Sequence, residues 1–136
     1  VRVALASIAF VVVSVACAGP GAVGESPTLG KPWASDQQGY GRASPTRIFN
    51  GGDPTGLVKN VHWTSWGDAR ALGVGTGWEP GKTVASGHWV RVKVVAWDLG
   101  RCRGSHAYRR IEWFRIGGRF NSRDAQDICT DLRKHS

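Results

Sequence analysis

Methionine is absent from this chain, and cysteine is scarce, at positions 17, 102 and 129 only. No two of these cysteines form a C-x-x-C pair, which argues against thiol redox chemistry and cysteine-bound zinc. The four histidines, at 62, 88, 106 and 135, show no H-x-H, H-x-x-x-H or H-E-x-x-H spacing, so no metal site is expected. There is no G-x-S-x-G elbow. Ser65, His62 and Asp68 are neighbours in sequence, but three-residue spacing sends His62 and Ser65 to opposite faces of a strand. In ALGVGTGW (71–78) glycine recurs at 73, 75 and 77, yet position 78 is Trp78, and Lys82 does not stand in a Gly-Lys-Ser/Thr context. Both the dinucleotide and the P-loop fingerprints are therefore missing. No catalytic residue and no cofactor is expected. Acidic residues are the last scarcity: from Lys82 to Arg119 nine Lys and Arg face only Asp98 and Glu112, which accounts for most of the formal charge of +8. Two carboxylates among so many arginines are expected to serve as ion-pair partners rather than as a glycosidase pair.

At the N-terminus, Arg2 precedes an apolar run, Val3 to Ala16, broken only by Ser7 and Ser14. That is shorter than the roughly 20 residues a membrane span requires, and it reads as a signal peptide over 1–17. A chain with Val1 first and no methionine fits a non-ATG start or an incomplete N-terminus. Ser14-Val15-Ala16-Cys17 resembles a bacterial lipobox with Cys17 as the lipidated residue, although Ser14 stands where such boxes carry an aliphatic residue. Ala16-Cys17-Ala18 alternatively offers an A-x-A site, leaving a freely secreted chain that begins at Gly19. The short signal and the following AGPGAVGESP favour the lipid anchor. Residues 18–45, rich in Gly, Pro and Ser with only Leu29, Trp33 and Tyr40 as large apolar groups, are expected to form a flexible linker.

The folded domain is expected at 46–136. NGGDPTG (50–56) is turn chemistry throughout. LVKNVHWTSW (57–66), residues 69–78, GHWVRVKVVAWDLG (87–100) and HAYRRIEWFRI (106–116) read as successive strands, with a turn at Gly100 to Gly104 before the last. The glycines of the second strand form a bare stripe, over which a large ring is expected to lie. NSRDAQDICTDLRK predicts a short helix from about Ser122, with Ser122 as N-cap. The fold class is thus mainly β: a small antiparallel meander or partly open barrel of four to five strands with a short C-terminal helix. With Cys17 lipidated or removed, Cys102 and Cys129 remain as an even pair in an oxidising compartment, and a disulfide follows.

NGGDPTGLVKNVHWTSWGDARALGVGTG, VVAWDLGRC, YRRIEWF and DICT together resemble a group of small exported proteins of the actinobacteria, with a GDP-x-G-x-V, W-x-SWG, DLG-x-C, EW-x-F and closing-cysteine pattern over about residues 50–130. The resemblance implies export, a Cys102–Cys129 bridge and a bacterial source, and it implies no catalytic residue.

The third strand alternates cleanly. Val90, Val92, Val94 and Ala96 share one face, and Trp89, Arg91, Lys93, Val95 and Trp97 share the other. Flat rings with interleaved cations suit sugars or polyanions. Register decides whether the neighbouring strand adds Trp113 and Arg115 or Tyr108 and Arg110 to this face. The candidate binding residues are Trp89, Arg91, Lys93, Trp97, Arg109, Arg110 and Trp113. The expected partner is an anionic cell-envelope polymer or an acidic protein surface; nucleic acid is disfavoured by export. The alternative is a secreted inhibitor docking on an extracellular enzyme.

Overall fold

The structure, a computed structural model, describes residues 24–130. The expected signal peptide and Cys17 lie outside the described residues. The chain forms β1 (Thr28–Leu29), β2 (Ile48–Phe49), β3 (Leu57–Ser65), β4 (Arg70–Glu79), β5 (His88–Cys102), β6 (Ser105–Arg115) and β7 (Gln126–Asp127). They make one sheet in the order β1-β6-β5-β4-β3-β2, with β7 also on β6. The sheet curls into an open half-barrel. Its centre is the expected antiparallel meander β3–β6. The additional strands are two residues long, too short to leave a periodic signal.

The in-and-out alternation of β4 and β5 builds the core. Ala71, Gly73, Gly75 and Gly77 face inward beside Val92, Val94 and Ala96, and the register continues to Ile111 and Trp113 of β6. The bare stripe admits its neighbours closely. A Cβ at Gly73 would lie 3.1 Å from the Trp63 ring, so one large ring does cover the stripe there, while valines cover Gly75 and Gly77. Asp98 has φ 62, and beyond it the alternation breaks: Leu99 and Tyr108, which alternation would send outward, pack on the core. The Tyr108 hydroxyl donates to Asp68 O and accepts from the Gly67 N–H, fastening the β3–β4 connection to β6.

The stretch 24–45 is not a flexible linker. Leu29 and Tyr40 are buried in the core, and Trp33 stacks on Tyr40. The indole N–H groups of Trp66 and Trp63 hold the stretch at Pro27 O and Pro45 O. The low average hydrophobicity of this stretch conceals three large side chains: Leu29 and Tyr40 belong to the core, and Trp33 packs against it.

Nor is the expected C-terminal helix formed among the described residues. A single 3-10 turn, Ser122–Asp124, is capped by Asn121 rather than Ser122, and β7 follows it. The Asp127 carboxylate accepts the N–H groups of Cys129 and Thr130, a local closure that competes with helix hydrogen bonding. Ile128 is thereby buried, and the disulfide joins Cys129 to Cys102 across a Cα separation of 5.2 Å. The expected Gly100–Gly104 turn shrinks to Arg103-Gly104, both at positive φ, as a two-residue hairpin requires.

Candidate functional site

The register of the meander assembles the outer face row by row. Trp78 lies opposite Trp89, Thr76 opposite Arg91, and Val74 opposite Lys93, which in turn faces Phe114. The next rows are Leu72, Val95 and Glu112, then Arg70, Trp97 and Arg110. Four of the sequence candidates, Trp89, Arg91, Lys93 and Trp97, therefore share one face, and β6 adds Arg110. Trp113 does not join them. It lies opposite Val94 and packs against the core.

The charges divide sharply in how they are used. Arg109 is locked to Asp98, with Nη2 2.6 Å from Oδ1 and Nε donating to the backbone carbonyl, and Arg110 lies 4.0 Å from the other carboxylate oxygen. Arg115 pairs with Glu79 at 3.5 Å. Arg103 donates to the carbonyls of Lys31, Pro32 and Cys129 and serves the fold. Arg91 and Lys93, both exposed, form no ion pair among the described residues. Two further cations, overlooked at the level of sequence, belong to the same face. Lys59 Nζ sits 3.7 Å from the Trp89 ring centroid, and Arg70 lies over Phe120 at 5.0 Å. Both are cation–π contacts, which leave the positive charge accessible to an anion.

Phe120 itself could not be assigned to this face from periodicity, because it stands in the loop after β6. It packs edge-on against Trp97, and with Phe114 it walls a hollow of about 360 Å³ over Leu72, Val74 and Val95. The loop is held by Glu112, whose two carboxylate oxygens accept the Asn121 N–H at 3.2 Å each. Glu112 is therefore a loop anchor, whereas Asp98 is the expected ion-pair partner. The Ser65 hydroxyl is engaged by the backbone of Arg70 and Leu72 in the β3–β4 hairpin. Among the described residues no cluster of three His, Cys, Asp or Glu side chains could hold a metal ion.

Burial pushes the Glu112 pKa up, the Asn121 N–H pulls it down, and Asp124 pushes it up again, for a net rise. A carboxyl whose folded pKa lies above its unfolded value binds more protons when folded. Its stabilising contribution is full below the unfolded value near 4.5 and is lost as pH rises through the raised folded value. Glu112→Gln keeps an acceptor for Asn121 and removes this loss. The variant should gain stability relative to wild type between pH 4 and pH 7, measured by urea denaturation at both pH values. A constant difference between the two proteins would show that Glu112 carries no such linkage.

Compared with models of protein families, with curated proteins and with solved structures, the chain has no match.

Proposed function

We propose that this protein is an exported binding domain of the bacterial cell envelope, anchored by a lipid at Cys17, that holds an anionic polymer along the outer face of β3–β6. The observation that carries this reading is Arg91 and Lys93: two exposed cations, roughly 7 Å apart along β5, with no carboxylate partner among the described residues, set between Trp89 at one end and Trp97 with Phe120 at the other. A solvated face evolved only for solubility gains nothing from leaving its cations unpaired while Arg109, Arg110 and Arg115 are paired nearby. The rings supply stacking surface, and the cations supply attraction that acts over about 10 Å at moderate salt. The Cys102–Cys129 disulfide suits an oxidising, extracytoplasmic setting.

Binding to long-chain polyphosphate, a defined polyanion, tests the proposal. Arg91→Gln/Lys93→Gln should weaken binding about tenfold, as expected for two exposed charge contacts of roughly 0.5–1 kcal/mol each. Arg42→Gln/Arg101→Gln, which removes the same charge elsewhere, should leave binding within twofold. Equal losses in the two variants would reduce the interaction to net charge. A tight complex with a secreted enzyme that neither variant disturbs would favour the inhibitor reading instead.

A further inference from the structure

The outer face of an antiparallel sheet that packs on one side only should alternate to polar residues. Here it does not. Leu72, Val74 and Val95 stand on that face in adjacent rows, and Leu72 is 45% exposed. Phe114 and Phe120 rise beside them to make the hollow of about 360 Å³, within the roughly 300–1,000 Å³ of ligand-sized clefts. One wall is built rather than incidental, since the loop bearing Phe120 is tied down by Glu112. Two cations border the apolar floor. Lys93 lines one side, with no ion pair among the described residues, and Arg70 lines the other from its position over Phe120. The carboxylate nearest in register, Glu112, is buried and already bonded to the backbone of Asn121.

We propose that this hollow binds the hydrocarbon chain of a free fatty acid, with Lys93 and Arg70 taking its carboxylate. The aliphatic floor has no use for a fully hydrated polyanion, and the cations have no use for a neutral hydrocarbon. A single-chain carboxylate satisfies both. The inference rests on the outer face being the ligand-binding face, but it can fail separately from the polymer reading, because the floor and the Arg91–Lys93 pair are different side chains.

Decanoate, decanol and acetate, each titrated calorimetrically below any micelle concentration, are the probes. Decanoate should bind, decanol about tenfold more weakly, and acetate not measurably. Leu72→Asn should weaken decanoate about tenfold while leaving polyphosphate within twofold, and Lys93→Gln should weaken both. Leu72 is exposed enough for the substitution to be carried without loss of fold, and the near-isosteric Val74→Thr gives a second reading of the floor. Three results would overturn the proposal: acetate competing as well as decanoate, decanoate binding unchanged in both floor variants, or binding confined to intact anionic vesicles with no affinity for monomeric decanoate. The last would make the face a membrane-docking surface. Loss of decanoate binding in Leu72→Asn with polyphosphate indifferent to Arg91→Gln/Lys93→Gln would uphold the hollow and reject the polymer.

Discussion

The Cys102→Ala/Cys129→Ala variant is expected to lose about 3 to 4 kcal/mol of stability, the entropy of leaving open a loop that the bond closes across 27 residues of sequence. For a domain of this size that is a large share of a total of roughly 5–15 kcal/mol. The position of the bond adds a second consequence. Ile128, next to Cys129, is buried, its N–H donates to Arg109 O, and its carbonyl accepts the Lys31 N–H. The C-terminal segment thus clasps both β6 and the N-terminal stretch, which in turn donates the Gly30 N–H to Tyr108 O. Releasing Cys129 should loosen 24–45 and 117–130 together, seen as faster proteolysis in both regions alongside a lower urea midpoint. A change under about 1 kcal/mol would show that the clasp holds without the bond.

Gly75→Val should cost about 2 to 3 kcal/mol, in the range of overpacked cores, and lower Tm by roughly 10 °C. A Cβ on Gly75 would lie 2.9 Å from Val58 Cγ1, 3.1 Å from Lys59 O and 3.2 Å from Val61 Cγ2. One of these is backbone of the adjacent strand and cannot yield without parting β3 from β4. Gly24→Ala is the matching control, since nothing lies within 4 Å of its added methyl, and it should stay within about 0.5 kcal/mol of wild type. Thermal unfolding of the two variants side by side decides the matter. A Gly75→Val protein as stable as wild type would mean that the stripe is not what lets the strands approach.

The parts of this fold that repeat were legible in the sequence, and the parts that depend on a single side chain were not. Period-two alternation located the four long strands and both faces of β5, and the glycine stripe announced close packing. Leu29 and Tyr40 are core residues that the sequence does not signal, because burial of isolated residues in a polar stretch leaves no pattern. Over 122–130 no helix forms, because the Asp127 side chain closes on its own backbone and Ile128 is drawn into the core. The proposed binding face is half legible in the sequence. Alternation placed Trp89, Arg91, Lys93 and Trp97 together, but only the pairing register could exclude Trp113, bring in Arg70 and Leu72 from β4, and consign Arg109 and Arg110 to Asp98.

The most direct test of the proposed binding face is the salt dependence of polyphosphate affinity in wild type and in Arg91→Gln/Lys93→Gln, from low to physiological ionic strength. Wild-type affinity should fall steeply with log salt, and the double variant should show a slope shallower by about 1 to 2, as expected when two contacts that release counterions are removed. Identical slopes in the two proteins, or no wild-type affinity at low salt, would contradict a role for these cations in holding a polyanion.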